Sequence, residues 1–532
     1  MCGILGDIGP GFTLTSFRQA LKQLHHRGPW GDGITMLPGG AMGMTRLPMS
    51  SESPVSLPVQ IGGIWVAYNG EIYVPGADIR EEISLLLEGA KQRRFPDGMF
   101  AFAAWDRQAA TITLQRDGYG IKPLYYCYQA DRGRLIFASE LTPLLTLLGH
   151  RKPNIEAIAQ IVATGTTLEG QSLFTGVQLL APGEQLTFAL NNNQISLVRR
   201  QRLSTDVEPQ TESLEEALSQ AIQRCRATFR PTALLLSGGV DSTLLNTWLG
   251  ESTARFTLML EHACEEVRSQ PHLYRVPLLQ SDFMSVLRRA VRHLGSASRM
   301  SSLLMYQQLA DAVGDAGYHC VLLGEGADEL FQGYPRHLAL AGLNHAPDAR
   351  TFAQHWFGQY QEKTQLLSVP VAADLNDHIE TCAASALEKG LDSAIAHFDL
   401  YYSLEPLLRR ADHLLMSRTI EARTPYLHAG LGALARRSAC ITHNVTKAPL
   451  CKLLQQRMPE WHWQPKQHFR LPFSHWPQAT DDMRHFLRQT CGDLRALGVV
   501  NLTTAHINAL DSAQLFTLTT LSLWQQEYEV VL

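Results

Sequence analysis

The feature that most constrains the fold is a glycine-rich turn, Ser-Gly-Gly-Val-Asp-Ser at residues 237–242. An apolar run at residues 233–236 precedes the turn, and an amphipathic segment at residues 243–249 follows it. This order of buried strand, glycine turn and helix N-terminus suits a phosphate site, because glycine lets backbone N–H groups approach an anion and the helix end carries a positive dipole. The turn therefore predicts a parallel α/β domain that binds phosphate.

A carboxylate in the turn, Asp241, predicts a bound cation. The turn lacks the Gly-Lys-Ser/Thr ending of a Walker A loop and has Asp241 where a lysine would meet the phosphates. A carboxylate beside a polyphosphate repels it unless a cation lies between them, which predicts Mg²⁺. Taken alone, the same segment could equally be an ordinary strand-to-helix turn capped by serine and aspartate.

A second strand end favours the phosphate interpretation. The apolar run at residues 319–323 ends in Gly-Glu-Gly-Ala-Asp-Glu-Leu-Phe at residues 324–331, which again gives a strand, a glycine turn, carboxylates and the start of a helix. Two strand ends of one parallel sheet can converge on one crevice, where such sheets bind ligands. We therefore expect the two turns to form one nucleotide site.

The two turns together resemble the ATP pyrophosphatases and, among them, the glutamine-dependent asparagine synthetase family. The resemblance implies that ATP is split to AMP and pyrophosphate, with Mg²⁺ held by Asp241 and Asp328. It further implies that Glu325 accepts a proton from the attacking amine and that Lys447 offsets negative charge on the adenylated substrate. It assigns ATP binding to Leu235, Ser237, Gly238, Gly239, Asp241, Ser242, Leu258 and Gly324.

Length and composition bound the class of protein. The chain of 532 residues is too long for one typical core and suits two or three domains. A hydrophobic content of 45%, a charged content of 18% and a net charge of −4 indicate a soluble globular protein without a nucleic-acid stripe or a polybasic membrane anchor. Nine scattered cysteines show no disulfide framework, and no apolar run reaches transmembrane length, so a cytoplasmic location is expected.

The second residue, Cys2, can carry its own base. Removal of Met1 would leave a cysteine with both a thiol and a free α-amine. Such an amine titrates near neutral pH, at roughly 7.7–8.0 in peptides, and can deprotonate the adjacent thiol. A cysteine at position two can also be incidental, and only its context separates the two interpretations.

An asparagine–glycine pair follows the alternating segment at residues 64–68, which predicts a strand. The side-chain amide of Asn69 and the backbone N–H of Gly70 would form a donor pair for an oxyanion, because glycine lets the backbone approach a substrate. The ordinary alternative is a hairpin turn, which is the usual meaning of Asn-Gly.

An ordered series of motifs favours the catalytic interpretations of Cys2 and of Asn69 with Gly70. Its members are His-Arg-Gly-Pro at 26–29, Arg-Leu at 46–47, Asn-Gly-Glu-Ile-Tyr at 69–73, Gly-Met-Phe-Ala-Phe-Ala at 98–103, Arg-Asp at 116–117, Gly-Ile-Lys-Pro-Leu-Tyr at 120–125 and Phe-Ala-Ser-Glu-Leu at 137–141. The series resembles the N-terminal-nucleophile (Ntn) glutaminase domain of class II amidotransferases. That resemblance implies a four-layer αββα sandwich.

The same resemblance assigns roles in glutamine hydrolysis. Cys2 would attack the side-chain amide of glutamine, and Asn69 and Gly70 would stabilise the oxyanion. The Asp-Thr-Glu motif of the family has no strict match in the compressed segment at residues 74–82, where Asp78 can substitute for the aspartate of that motif. Arginine suits the glutamine α-carboxylate because it binds carboxylates in a bidentate manner. The implied glutamine-binding residues are Arg46, Leu47, Glu71 and Asp78.

Further signatures lie in the C-terminal half. Asp-His-Leu-Leu-Met at residues 412–416 and Glu-Ala-Arg-Thr-Pro-Tyr-Leu at residues 421–427 resemble the family's Asp-Arg-x-x-Met and Glu-x-Arg-x-Pro-Phe-Leu-Asp motifs, with His428 in place of the final aspartate. Lys-Ala-Pro-Leu-Cys at residues 447–451 resembles Lys-x-x-Leu-Arg with the arginine lost. The resemblance thus covers nearly the whole chain.

Strands that alternate with helices predict a doubly wound parallel α/β domain with added helices in the C-terminal half. A strand at residues 256–260 should lie beside the strand of the phosphate turn, where Leu258 and Leu235 would either contact adenine or fill the core. The predicted division of the chain is a glutaminase domain at 1–190, a linker at 191–212 and a synthetase-like domain at 213–532.

The expected function is an ATP- and glutamine-dependent ligase that forms an amide, with aspartate as the default acceptor. Its expected partners are glutamine, ATP and a carboxylate, without nucleic acid or membrane, and a homodimer is one option. One alternative is an intramolecular ligase resembling β-lactam synthetases or lasso-peptide cyclases, or a specialised-metabolite amidotransferase; Cys2, Arg46 and Asn69 argue against the intramolecular ligase. Another is a regulatory protein with a decayed site, which Cys451 and His428 favour and the intact phosphate turn opposes.

Overall fold

The computed structural model of this chain combines two antiparallel sheets with one parallel sheet in the part of the chain that it describes. The described residues are 2–74, 76–191, 193–203, 211, 213–259, 270–278, 282–343, 345–462, 471, 473 and 476–530.

The N-terminal half forms two stacked antiparallel sheets. Its strands are β1 (Cys2–Ile8), β2 (Asp32–Leu37), β3 (Gly40–Arg46), β4 (Val59–Ile61), β5 (Ile64–Ile72), β6 (Gly98–Asp106), β7 (Thr111–Arg116), β8 (Tyr125–Gln129), β9 (Arg134–Ala138), β10 (Gln178–Leu179), β11 (Glu184–Asn191) and β12 (Gln194–Arg202). The first sheet has the order β10-β8-β9-β1-β3-β2, and the second has the order β12-β11-β7-β6-β5-β4.

Helices cover the outer face of each sheet. Strand β1 packs against β5, so the two sheets face each other. Helices Leu14–Lys22 and Leu141–Leu148 pack on the first sheet, and helix Ile79–Gln92 packs on the second. Every residue of β1 is buried, because this strand lies inside a sheet that is covered on both faces. The arrangement confirms the predicted αββα sandwich.

The C-terminal half contains the predicted parallel sheet. Its strands are β13 (Thr232–Leu235), β14 (Arg255–Met259), β15 (Leu273–Pro277), β16 (Cys320–Leu322) and β17 (Glu421–Arg423). The order is β15-β14-β13-β16-β17, and all neighbouring strands are parallel. Strand β14 therefore lies beside β13, as predicted, and β13 and β16 bring their carboxyl ends to the same edge of the sheet.

Helices surround this sheet. Among the described residues, no helix combines the length and the apolar character that a membrane span requires. Within the described residues, the other α-helices are Ile155–Thr164, Leu214–Cys225, Val240–Asn246, Phe283–Leu294, Ser302–Asp315, Ala327–Leu330, Pro335–Ala341, Ala349–Phe357, Tyr360–Lys363, Val369–Leu387, Leu391–Phe398, Glu405–Met416, Leu431–Arg437, Ala448–Arg457, Pro477–Ala496, Thr504–Ala509 and Ser512–Glu527.

The division into domains at residues 190 and 213 stays a prediction. Strand β12 pairs with β11 along its length, so the N-terminal sheet continues past residue 190 into the segment expected to be a linker. Only two residues separate Asn191 from Gln194, and a connection of this length between two strands favours a hairpin. Residues 204–210 of that segment lie outside the described residues.

A fully buried arginine, Arg423, joins the two halves. Its guanidinium donates to Glu421 at 2.6 Å and to the backbone carbonyl of Cys225 at 2.7 Å, and it also hydrogen-bonds Glu71 on β5. Burial raises the pKa of Glu71 and Arg423 opposes that rise, whereas Arg423 outweighs burial at Glu421 and lowers the pKa of that carboxyl to about 2. One guanidinium thus compensates two buried carboxylates from opposite sides of the interface.

A second buried ionic cluster lies between the same two halves. Arg27 donates to Glu140 at 2.9 Å and to Asp412 at 2.8 Å, and the ammonium of Lys122 lies 3.6 Å from Asp412. Arg27 and Lys122 have no solvent-accessible side-chain surface. Because charges removed from water need close partners, these contacts fix how the halves dock.

Replacing Arg423 with methionine should destabilise the protein strongly. The change leaves the carboxylates of Glu71 and Glu421 buried without their counter-ion, which typically costs about 3–5 kcal/mol. Urea denaturation measures the loss in the free energy of unfolding. The matched control is Arg350→Met, because the pair of Arg350 with Glu380 lies at the surface, where water screens the charges and the pair contributes little. Equal, small losses for both variants would contradict the role of Arg423.

Candidate active sites

The strand β1 begins with Cys2, and Asn69 lies in the facing strand β5. The backbone N–H of Cys2 donates to Oδ1 of Asn69 at 3.1 Å, and both residues are buried. Oδ1 therefore accepts from the cysteine, and the amide nitrogen Nδ2 is left as a buried donor with no hydrogen-bond partner among the described residues. A buried donor without a partner is unfavourable unless a ligand completes it. The pair can thus hold a substrate oxygen.

The glycine after Asn69 is required by the backbone. Gly70 has φ of +153°, and a Cβ at this position would lie 2.1 Å from the carbonyl oxygen of Met99 in β6. Residues with a Cβ cannot approach the neighbouring strand this closely. The structure thus explains Asn-Gly as part of a strand and not as a hairpin turn.

Burial is the largest influence on the thiol of Cys2. It raises the pKa of this thiol above its ordinary value, and the positive N-terminus, the Leu47 backbone and Arg46 oppose the rise. The pairing of β1 with β3 puts Arg46 directly opposite Cys2. The Arg46 guanidinium donates to the backbone carbonyls of Ser51 and Ser53 at 2.8 and 2.7 Å, so a loop fixes its orientation. The predicted Arg46 and Leu47 therefore lie beside the nucleophile.

Two predicted glutamine-binding residues have structural partners. Glu71 takes part in the buried contact with Arg423. Asp78 is the N-cap of helix Ile79–Gln92, where its Oδ1 accepts from the backbone N–H groups of Arg80 and Glu81. Such a cap stabilises a helix by about 1 kcal/mol whether or not a ligand binds nearby. Their roles in glutamine binding stay predictions.

The phosphate turn follows β13 as predicted. The hydroxyl of Ser242 accepts from the backbone N–H of Ser237 at 3.1 Å and lies 3.0 Å from the Ser237 hydroxyl. Gly238 has φ of +82°, which favours glycine, and Gly239 is the N-cap of helix Val240–Asn246. The turn therefore presents two hydroxyls at the positive end of a helix.

The second turn lies against the first. A Cβ on Gly324 would lie 3.0 Å from the Cβ of Asp241. Asp241 and Asp328 converge on one ammonium group, because Lys447 Nζ lies 2.8 and 2.9 Å from the two carboxylate oxygens of Asp241 and 2.9 Å from Asp328 Oδ1. The two carboxylates already converge on one cation, and carboxylate oxygens are the ligand type that Mg²⁺ prefers.

The charged form of the Lys447 side chain is stabilised by its neighbours. Burial by itself would lower the pKa of this lysine, but Asp241 and Asp328 outweigh burial and raise it above the ordinary value. Lys447 also has φ of +51° and comes just before helix Ala448–Arg457. A bulky residue in this backbone region is uncommon and often marks a functional site. The structure thus places Lys447 with the two aspartates from the nucleotide turns.

Two residues that the sequence did not single out orient Glu325. The hydroxyl of Tyr306 donates to Glu325 Oε1 at 2.5 Å, and the guanidinium of Arg410 donates to the same oxygen at 2.7 Å. The guanidinium carbon of Arg410 also lies 3.9 Å from the ring centroid of Tyr306. Tyr306 lies in an apolar helical pattern, and Arg410 precedes the signature at 412–416, so neither had its own sequence signal.

Leu235 and Leu258 are both buried in the parallel sheet. Leu235 pairs with Phe256 in the neighbouring strand, and Leu258 pairs with Val276. These contacts account for both leucines as core residues, and their contact with adenine stays a prediction.

The signature around Arg423 connects the two sites. Tyr426 donates from its hydroxyl to the backbone carbonyl of Asp241 at 3.0 Å. His428 stacks on Tyr73, with ring centroids 4.3 Å apart, and its Nδ1 lies 3.1 Å from Asp97. Burial opposes ionisation of Asp97, but hydrogen bonds from His428 and from the backbone lower its pKa to about 2. His428, which replaces the family's aspartate, therefore makes an interface contact.

Comparison with known families agrees with this arrangement. The family model described as asparagine synthase matches residues 213–526, and the model described as glutamine amidotransferase domain matches residues 1–95 and 84–200. The protein is accordingly a ligase of the asparagine-synthetase type with glutamine as amido donor. The chain belongs to the asparagine synthase family, which confirms the resemblance inferred from its motifs.

Similar proteins have related names. A Bacillus subtilis protein named asparagine synthetase (glutamine-hydrolyzing) 3 is 23% identical over 80% of this chain and 79% of its own length. A putative asparagine synthetase (glutamine-hydrolyzing) of Mycobacterium bovis is 24% identical over 95% of this chain and 93% of its own length. Among solved structures, a match to the glutamine PRPP amidotransferase of Bacillus subtilis covers 44% of this chain and 61% of that chain at 15% identity, with a TM-score of 0.27.

Replacing Gly70 with alanine should abolish glutaminase activity. The new Cβ would meet the carbonyl oxygen of Met99 at 2.1 Å, so β5 must shift and carry Asn69 away from Cys2. Loss of one oxyanion donor typically lowers kcat about 10²- to 10³-fold. Glutamate release from glutamine measures the effect. The control is Gly63→Ala in the turn just before the same strand, where a Cβ has no neighbour within 4 Å. Similar activities of the two variants would refute the role of Gly70.

Proposed function

We propose that the protein activates a carboxylate with ATP, releasing pyrophosphate, and then aminates the acyl-adenylate with ammonia from glutamine, releasing AMP. The observation that carries the proposal is the convergence of Asp241, Asp328 and Lys447 at two strand ends, in the same chain as the Cys2 and Asn69 pair. The first group suits a nucleotide polyphosphate, and the second suits attack on an amide.

Glutamine hydrolysis begins at Cys2. With Met1 removed, the free α-amine takes the proton of the thiol, and the sulfur attacks the side-chain amide carbon of glutamine. The C–S bond forms first and gives a tetrahedral oxyanion. The C–N bond then breaks, and the nitrogen takes the proton held by the α-amine and leaves as ammonia. Water hydrolyses the resulting thioester to glutamate and restores the thiol. Asn69 Nδ2 and the Gly70 N–H donate to the oxyanion, while Asn69 Oδ1 holds the nitrogen of Cys2. Arg46 binds the α-carboxylate and Asp78 binds the α-amine.

Adenylation takes place at the two turns. Ser237, Gly238, Gly239 and Ser242 bind the pyrophosphate moiety with hydroxyl and backbone N–H donors. Asp241 and Asp328 would hold Mg²⁺, which neutralises phosphate charge when it is bound. An oxygen of the acceptor carboxylate attacks the α-phosphorus, and pyrophosphate leaves. The ammonium of Lys447 lies beside Asp241 and Asp328, where it can offset the negative charge that remains on the adenylate.

Amide formation needs a base for the incoming amine. Glu325 follows β16 and Gly324, and Tyr306 and Arg410 direct its carboxylate from one side. As ammonia attacks the acyl carbon, Glu325 takes a proton from the nitrogen and AMP leaves with the bonding electrons. Tyr306 and Arg410 act as positioning residues for this step, because both bind the same carboxylate oxygen.

An apolar cluster supports internal transfer of ammonia. Leu47 and Met49 from the N-terminal half are buried together with Cys320 and Met416 from the C-terminal half. Leu47 adjoins the thiol of Cys2, and Cys320 begins the strand that leads to Glu325. An apolar contact between the two halves favours a neutral molecule such as ammonia over ammonium, because an apolar surface does not solvate charge.

Aspartate is the default acceptor, and the product would then be asparagine. An intramolecular ligase, in which the substrate's own amine attacks the adenylate, is the second candidate for the synthetase half. The geometry around Cys2, Asn69 and Gly70 favours the ammonia-dependent reaction, because an intramolecular reaction has no use for an oxyanion donor beside a buried thiol. Product analysis with a panel of carboxylates identifies the acceptor.

Replacing Cys2 with alanine should abolish product formation from glutamine and leave formation from free ammonium largely intact. The thiol is needed only for glutamine hydrolysis, whereas adenylation depends on residues of the C-terminal half. Measuring amide product with each nitrogen donor tests this expectation. Cys491→Ser, at a half-buried helix position, is the control and should use both donors normally. Equal loss with both donors in Cys2→Ala would contradict separate sites.

Replacing Glu325 with glutamine should separate the two half-reactions. Exchange of labelled pyrophosphate into ATP, in the presence of the true acceptor, should persist because adenylation uses the turns and Lys447. Amide formation should fall about 10²- to 10⁴-fold with either nitrogen donor, because the general base is lost. The wild type should form AMP and pyrophosphate.

Glu362→Gln, in helix Tyr360–Lys363, is the control for the Glu325 variant. Normal amide formation by Glu325→Gln would reject a catalytic role for Glu325. If exchange of pyrophosphate into ATP is lost as well, Glu325 would be assigned to metal or nucleotide binding. ADP and phosphate as wild-type products would overturn the proposed reaction.

A further inference from the structure

A group of three potential metal ligands lies away from both sites, where the two halves of the chain meet. His378 and Cys382 are four residues apart on helix Val369–Leu387 and therefore share one face. His378 Nε2 lies 3.7 Å from Cys382 Sγ. Glu169, in the loop before β10, completes the group, and the carboxylate oxygen, Nε2 and Sγ all lie within 4.8 Å of one another.

We propose that Glu169, His378 and Cys382 bind one Zn²⁺, with water as the fourth ligand. Tetrahedral zinc with bonds of about 2.3 Å to sulfur and about 2.0–2.1 Å to nitrogen keeps those two atoms about 3.5–3.6 Å apart. The distance of 3.7 Å between Sγ and Nε2 is already close to this range. The side chain of Glu169 is exposed, so its carboxylate can complete the site without a change in the core.

The ligand types favour zinc over the cation expected at the nucleotide turns. A thiolate and an imidazole suit Zn²⁺, whereas Mg²⁺ prefers oxygen ligands such as those of Asp241 and Asp328. With Cys382 deprotonated, the thiolate and the Glu169 carboxylate neutralise the two charges of the ion. Burial raises the pKa of the Cys382 thiol to about 11, so zinc binding would release its proton.

The position of the site indicates a structural role. Helix Val369–Leu387 packs on helix Ile155–Thr164 of the N-terminal half, and Glu169 follows that helix. His378 and Cys382 are half-buried and Glu169 is exposed, so the site is partly shielded from water. Bound zinc would therefore tie a loop of the N-terminal half to the helical layer of the C-terminal half.

Cobalt substitution tests the site directly, because a Co²⁺–thiolate bond absorbs in the near ultraviolet. The full-length protein is stripped with a chelator and titrated with Co²⁺ and then with Zn²⁺. The expected result is a charge-transfer band that Zn²⁺ removes by competition. Cys382→Ser should lose the band, and Cys491→Ser, which changes another half-buried helical cysteine, should keep it.

The other two ligands give an independent measurement. His378→Ala and Glu169→Gln should each weaken Zn²⁺ binding by at least about tenfold, because even partners outside the coordination sphere contribute that much. Zn²⁺ should raise the Tm of the wild type and of Cys491→Ser but not that of Cys382→Ser. A band that persists in Cys382→Ser, an unchanged affinity in Glu169→Gln or an equal rise in Tm for all variants would overturn the proposal. The His378–Cys382 contact would then be an ordinary hydrogen bond within the helix.

Discussion

The burial of Arg423 between Glu71 and Glu421 is the contact on which the two-part architecture depends. A guanidinium with no exposed surface is stable only when carboxylates compensate it, and here the carboxylates come from both halves of the chain. Separating the halves would leave charged groups of each half without partners. The same strand that supplies Glu71 also carries Asn69 and Gly70, so docking of the halves and the geometry of the oxyanion donors are linked.

The segment that contains Arg423 extends this link to the nucleotide turns. Within a few residues it contacts the strand of the oxyanion donors through Arg423, the following Tyr73 through His428, and the phosphate turn through Tyr426. One short stretch of chain therefore contacts both the phosphate turn and β5. The replacement of the family's aspartate by His428 does not break this path, because Asp97 accepts a hydrogen bond from the imidazole.

Local patterns predicted the turns well, and distant contacts escaped prediction. A strand, a glycine turn and a helix start are consecutive in sequence, so the positions of Asp241 and Glu325 at strand ends followed from periodicity and glycine alone. Tyr306 and Arg410 bind Glu325 from 19 and 85 residues away, and only the tertiary fold brings them together. Likewise, a sequence cannot distinguish an aspartate that binds a ligand from one that caps a helix, as the position of Asp78 illustrates.

Charge balance explains why Lys447 belongs with the aspartates of the nucleotide turns. Asp241 and Asp328 lie close together and are partly buried, and like charges in such surroundings repel unless a cation separates them. The Lys447 ammonium provides that cation from an uncommon backbone conformation, which requires support from the surrounding fold. The two turns are therefore held in a converged arrangement by a residue about 120 positions further along the chain than Asp328. Such preorganisation reduces the rearrangement needed when a polyphosphate binds, because the two carboxylates and the ammonium already face one point.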